Sequence, residues 1–296
     1  MAVTPVQATR PVGFGARLHR AADLWLLPTY VVGVTLYLIL PVLVMILFSF
    51  NDPAGRSNLQ WRGFSLDAWM NPLGRPGLPE AVRNSLLIAF ISTIVATILG
   101  TLIGLALVRY DFRGRAGTNL LIFLPMSTPE IVLGASLLTT FIASVKLPLI
   151  PQGVIYPLSI TTIIIAHIMF CISFVVVTVK ARLQGFPRHL EEAAMDLGAN
   201  EWTTFWKVTF PLILPGIAAA GLLAFSLSID DYVVTSFTAG QTQTFPLFIY
   251  GSQLRGIPVQ VNVIGTMIFG VAVGLVLLTT LWQRRVAAQD YNASVT

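Results

Sequence analysis

Three carboxylates stand inside or at the edge of long apolar stretches: Glu130, Asp230 and Asp231. Tyr232 follows the aspartate pair directly. An ionised Asp at the centre of a lipid-spanning helix costs about 2.5–3.5 kcal/mol on insertion scales, and less near the interface. Such groups face a bundle interior or a water-filled path rather than lipid. One chemistry open to them is cation recognition, in which carboxylates supply charge and Tyr232 with nearby aromatics supplies cation–π contact and apolar packing. Three readings of these acids stand side by side. Asp230 and Asp231 can be the wet end of a helix near the external face, or Glu130 can be neutralised by a bundle partner such as His167. Alternatively, the acids line the route of a cationic solute. His167 itself, alone in an apolar segment, reads as a satisfied bundle residue.

A second group of polar residues is of another kind. Leu190, Ala193, Ala194 and Leu197 recur at i, i+3, i+4 and i+7, which gives a small apolar stripe on a short helix. Glu191, Glu192 and Asp196 lie off that stripe, and carboxylates near a helix start suit its dipole. Gly198 can take the left-handed conformation that ends a helix. Asn200 is then an N-cap for a second helix carrying Trp202, Phe205 and Trp206. A helix–Gly–helix elbow of this size can transmit a push from a soluble partner. The competing reading is an amphipathic pair lying on a membrane surface, which the acidic face suits poorly.

The elements that must position these residues follow from composition. The chain has 296 residues, of which 55% are hydrophobic and 10% charged, with a mean hydropathy of +0.78. A soluble domain carries about 25% charged residues, so too few polar side chains are present to cover a water-facing surface. The chain reads as an all-α integral membrane protein. Six spans of about 20 residues each cross about 30 Å of hydrocarbon, at about Leu24–Phe50, Ser85–Val108, Asn119–Val145, Tyr156–Val179, Leu212–Asp230 and Val263–Trp282. Pro125 and Pro129 break the third span, and Pro211 and Pro215 open the fifth. Both helices must pack against protein where a proline frees a carbonyl.

The net charge of +5 and pI of about 9.7 reflect topology rather than nucleic-acid binding. With the N-terminus inside, twelve of the eighteen Lys and Arg fall on the cytoplasmic side, among them Arg109, Arg113, Arg115, Lys180, Arg188 and Lys207. Both termini are therefore expected in the cytoplasm. The organisation expected is a cytoplasmic tail at 1–23, a transmembrane domain at 24–283 and a second tail at 284–296. The first tail is expected to be disordered for about twenty residues, and the first apolar stretch reads as a retained helix rather than a cleaved signal. Asn51–Arg83 reads as an external loop with short interfacial helices, where Trp61 and Trp69 suit the membrane interface. Gly100-xxx-Gly104 and Gly270-xxx-Gly274 permit close helix approach. Cys171 is the single cysteine, so no internal disulfide forms. The lysines Lys146, Lys180 and Lys207 follow Val, Val and Trp, so no phosphate-cradling Gly-Lys-Ser/Thr loop is present. The histidines His19, His167 and His189 are scattered, and no metal-ligand cluster or catalytic pattern is apparent.

The order of Glu192, Ala193, Ala194, Gly198, Val208 and Pro211 resembles the cytoplasmic EAA loop of ABC-importer permeases. Val208 stands where that family often has Ile, and Phe210 where it often has Leu. The resemblance implies a type I importer permease fold in a bacterial inner membrane, crossed six times. It also implies that Glu191, Glu192, Ala193, Ala194, Asp196, Leu197, Gly198 and Pro211 couple the chain to a separate ATPase. Implied partners are two copies of that ATP-binding subunit, a second homologous permease and an extracytoplasmic substrate-binding protein, with ATP and Mg used by the ATPase alone. The segments Pro125–Gly134, Leu227–Phe237 and Phe245–Tyr250 are similar to permeases of spermidine/putrescine importers. That narrower likeness implies polyamine passage along Glu130, Asp230, Asp231 and Tyr232. The same branch also resembles importers of thiamine and ferric iron. A secondary transporter driven by an ion gradient remains the alternative from another class, and it leaves the acidic hairpin without a purpose.

Overall fold

A computed structural model of the chain describes residues 14–145, 155–254 and 256–295. Among the described residues the regular elements are helices; the only ladder pairing is an isolated bridge between Asn51 and Phe64. The residues fall into two packing units, 73–254 and the combination of 14–72 with 256–295.

The larger unit holds most of the bundle. Its first helix, α3 (Leu78–Arg109), follows α1 (Phe14–Phe48) and the short α2 (Asp67–Met70) in the chain. Then come α4 (Arg115–Ser127), α5 (Glu130–Ser144) and α6 (Ile160–Gln184). The hairpin helices α7 (His189–Asp196) and α8 (Glu201–Thr204) precede α9 (Phe210–Asp230), α10 (Val233–Thr238) and α11 (Phe245–Gln253). The last helix, α12 (Val259–Val295), belongs to the smaller unit.

The core of the larger unit is the packing of α3, α6 and α9. Ala96, Cys171, Val175, Val179, Ile213, Ala220 and Ala224 form one buried cluster among these three helices. Gly100 explains the closeness of α3 and α6, because a Cβ there would sit 2.6 Å from Val175 Cγ1. Small residues substitute for a hydrophobic driving force that lipid does not supply. The Gly270–Gly274 pair behaves differently, since among the described residues no other element lies within 4 Å of a Cβ built at either glycine.

Helix ends depart from the hydropathic boundaries. The second span begins at Leu78 rather than Ser85, because Gly77 at φ +82° turns the chain and Pro79 suits the first helical turn. The extra turns are held by polar contacts: Asn84 donates to the Gln243 carbonyl at 3.0 Å, and Ser85 Oγ accepts from the Phe245 amide at 2.8 Å. α6 starts at Ile160 rather than Tyr156, where the Ser159 amide donates to Thr162 Oγ1 at 2.8 Å. α1 is already helical at Phe14, inside the stretch expected as a tail, and α12 continues to Val295 beyond the last apolar residues. Residues 1–13 of the expected tail, with Arg10, Lys146 and Arg255, lie outside the described residues.

The third span is broken as the prolines require. α4 and α5 meet at 110°, with the break at Thr128–Pro129 while Pro125 stays inside α4. Among the described residues four helices are long and apolar enough to cross a membrane, or five if this bent pair is one span. Val259–Gly274 is a shorter apolar helix at the position of the sixth expected span.

In the smaller unit α2 packs on α12 through Ala68, Val259 and Val263. Trp69 is half-buried there: its ring stacks on Phe50 at 5.2 Å and its Nε1 donates to Ser49 Oγ at 3.2 Å. These contacts hold it against the loop and the end of α1. Asn51 and Asn58 pin the same loop, Asn51 Nδ2 donating to Asn58 Oδ1 at 2.6 Å and Asn58 Nδ2 to the Phe48 carbonyl at 2.7 Å.

Candidate functional site: an acidic cavity and an exposed hairpin

Glu130, Asp230, Asp231 and Tyr232 are separated by a hundred residues in sequence and converge on one cavity of about 380 Å³. The break between α4 and α5 contributes Pro125, Met126, Thr128 and Glu130, and the end of α9 contributes Leu227 and Asp230. Phe170 and Phe174 from α6 complete an aromatic wall. These residues are about ten and fourteen positions into α6, some 15–20 Å from its start at 1.5 Å per residue. Asp230 is the last residue of α9, and Asp231 meets α6 at His167, about seven positions and about 10 Å from that helix's start.

The two aspartates have different surroundings. Asp231 caps α10: one Oδ accepts from the Thr235 amide and hydroxyl, both at 2.7 Å. The same oxygen lies 3.3 Å from His167 Nε2, and its side chain is 8% exposed. His167 is buried, with Nδ1 2.7 Å from Ser228 Oγ and Nε2 2.9 Å from Thr235 Oγ1. The acid beside His167 is thus Asp231 and not Glu130, because α10 folds back over α6 and delivers Asp231 to it. Asp230 and Glu130 are exposed to the cavity side. Tyr232 pairs with Tyr250 of α11, their ring centroids 4.5 Å apart. The arrangement offers a held carboxylate, two carboxylates open to water and aromatic faces, a set of groups suited to a cation with an apolar body.

The hairpin lies along the chain between α6 and α9. α7 has no buried residue, and Leu197 is 90% exposed. Gly198 has φ +88°, and its amide donates to the Met195 carbonyl at 2.9 Å while the Ala199 amide donates to Ala194 at 3.1 Å. This pair of bonds ends a helix with glycine just past the cap. Asn200 then opens α8, its Oδ1 accepting from the Thr203 amide at 2.8 Å.

Two features of the hairpin differ from the sequence expectation. α8 is not a free second helix: it runs through a π-helical turn at Phe205–Thr209 straight into α9, so one helical rod spans Glu201–Asp230. Pro211 has no amide to donate, and wider π hydrogen bonding relieves the clash of its ring with the preceding turn. Glu191 points inward. Its Oε1 accepts from Arg109 at 2.6 Å and from Thr209 Oγ1 at 2.5 Å, tying α7 to the end of α3 and to the π turn. Arg109 also lies over the Phe186 ring at 5.3 Å. Sequence order hides this role because Arg109 is 82 positions away. Glu192, Ala193, Asp196 and Pro211 are exposed and Ala194 is half-buried.

The exposed hairpin runs on into a membrane-length rod, the arrangement that the resemblance to importer permeases implies, and sequence comparison gives the family. The chain belongs to the family described as binding-protein-dependent transport system inner membrane component, matched over residues 96–289. It is a permease subunit of an ABC importer in the inner membrane. It is 36% identical over 250 residues to the spermidine/putrescine transport system permease protein PotC of Haemophilus influenzae, covering 84% of this chain and 93% of that one. It is also 36% identical over 256 residues to the putrescine transport system permease protein PotI of Escherichia coli, covering 85% and 88%. Among solved structures, a chain of a bacterial ABC transporter involved in the import of the acidic polysaccharide alginate superposes with a TM-score of 0.64 at 17% identity, covering 91% of this chain and 99% of that one. The alginate transporter in complex with its alginate pentasaccharide-bound periplasmic protein gives 0.62 at 19% identity, covering 89% and 95%. These structural likenesses show the fold.

Proposed function

We propose that the chain forms half of the translocation pathway of a polyamine importer, for spermidine or putrescine. The observation that carries this reading is the convergence of Glu130, Asp230, Asp231 and Tyr232 on one cavity with Phe170 and Phe174. Ammonium groups separated by methylenes match alternating carboxylates and aromatic faces. Identity to PotC and PotI, whose names state polyamine transport, supports the same substrate class.

In this reading α7 and the exposed Glu192, Ala193, Asp196 and Leu197 face the cytoplasm and dock on a separate ATPase. Glu191 fixes the hairpin to the rod from within, and Pro211 sits where the π turn passes into α9. Both termini lie in the cytoplasm. Two ATPase copies use ATP and Mg, a second homologous permease supplies the other half of the pore, and an external binding protein delivers the solute. ATP-driven closure of the ATPase pair moves α7, and the Glu201–Asp230 rod carries that motion to the acids at its far end.

The test is uptake of labelled spermidine and putrescine into proteoliposomes holding the complete complex and its binding protein. ATP-dependent uptake is expected, and Glu130→Gln/Asp230→Asn/Asp231→Asn is predicted to slow it about tenfold or more without lowering assembly. Each lost charge contact near water is worth about 1 kcal/mol. Unchanged kinetics in the triple variant would remove the acids from the pathway. Uptake driven by a proton gradient without ATP would point to a secondary transporter instead.

A further inference from the structure

A second pocket, of about 270 Å³, opens between the end of α3, the start of α4 and the end of α6. Arg109, Arg115, Lys180 and Arg188 line it. Two carboxylates answer these four cations: Glu191 holds Arg109, and the largely exposed Asp111 pairs with Arg115. Lys180 donates only to the neutral Asn119 Oδ1 at 2.7 Å, and Arg188 to the Val108 carbonyl at 3.3 Å. Among the described residues neither makes an ion pair, so the pocket keeps two positive charges in excess.

The pocket does not end at its basic rim. Lys180 and Gln184 are shared with an adjoining groove of about 210 Å³ between α4 and α6. Ile122, Phe123, Val176 and Val177 line the groove as it runs from the basic residues toward the apolar middle of both helices. A site with a cationic mouth and an apolar continuation at the rim of a membrane bundle matches an amphiphile whose head is anionic and whose tail is hydrocarbon.

We propose that this pocket binds the phosphate headgroup of an anionic phospholipid, with one acyl chain lying in the α4–α6 groove. Lys180 and Arg188 contact the phosphate, and Arg115 can exchange its solvent-facing partner Asp111 for it. Arg109 stays with Glu191, so the bound lipid sits beside the ion pair that anchors α7 without replacing it. A free phosphate would satisfy the mouth alone, whereas the groove assigns the lipid. The site is independent of the solute that the acidic cavity passes.

The test is native mass spectrometry of the full-length chain, purified with its copurifying subunits and titrated with cardiolipin, phosphatidylcholine or inorganic phosphate. The wild type is expected to retain cardiolipin over phosphatidylcholine. Lys180→Gln is expected to lower retention about fivefold, the weight of one basic residue at a membrane surface, and Lys180→Arg to restore it. Arg113→Gln removes a charge outside the pocket and is expected to change nothing. Ala181→Trp fills the groove and removes no charge, so it is expected to weaken cardiolipin retention while sparing inorganic phosphate. Equal cardiolipin retention by the wild type, Lys180→Gln and Ala181→Trp would overturn the site. Equal losses in Arg113→Gln and Lys180→Gln would reduce it to general surface charge. Displacement of cardiolipin by millimolar inorganic phosphate would give the pocket to free phosphate and overturn the lipid assignment.

Discussion

Asp230 and Asp231 are neighbours with divided tasks. Asp231 accepts three bonds from Val234 and Thr235 and lies beside His167, so its neutralisation loosens the α9–α10 corner, short of loss of assembly, as well as removing cavity charge. Glu130 starts α5 and is exposed, with no such network among the described residues. Losing a buried, hydrogen-bonded charged group costs about 1–3 kcal/mol. Asp231→Asn is therefore predicted to lower Tm in detergent and to slow uptake together. Glu130→Gln is predicted to leave Tm in place and raise KM about fivefold, as expected for one charge contact near water. A matched fall of Tm in both variants would contradict this division. The sequence showed which acids sit in apolar surroundings. It did not show that His167 pairs with Asp231, because that contact depends on how α10 folds back over α6.

The hairpin gains its stiffness from three separate devices. Gly198 ends α7 in a left-handed turn, Asn200 opens α8, and Glu191 bolts α7 to Arg109 and Thr209. A residue other than glycine in the left-handed region costs roughly 1–2 kcal/mol, and proline cannot adopt that φ at all. Gly198→Ala is predicted to lower the amount of solute moved per ATP hydrolysed, and Gly198→Pro to abolish it, with membrane insertion intact. Normal uptake per ATP in Gly198→Pro, at wild-type subunit levels, would sink the transmission role. The glycine and the cap were legible because their conformational demands are local. The π turn was not, since Pro211 announces a disturbance without saying whether the helix stops or widens. Nor was the direction of Glu191 legible, because i, i+4 spacing ranks faces and cannot name a partner on α3.

At the scale of the molecule, the apolar stretches that hydropathy marks are helical, because lipid sets a length that sequence must meet. Helices such as α3 continue past those apolar stretches where local caps and polar contacts hold them, as Gly77, Asn84 and Ser85 do. Two groups among the exposed apolar side chains bear on the assembly. Those of α1, including Trp25, Tyr30 and Leu36, lie on a membrane-length helix whose most apolar stretch is unburied, as suits lipid or a second permease. Leu197, with Met195 and Trp202, is exposed on the acidic hairpin, and in the proposed function it meets the ATPase. Cysteine at Leu197, tethered to a short photo-crosslinker in the assembled complex, tests the docking claim directly. The only other thiol, Cys171, is buried. The account predicts an adduct with the ATPase subunit in high yield, formed in the presence and absence of nucleotide. Adducts confined to lipid or to water-soluble quencher, with no ATPase attached, would contradict it.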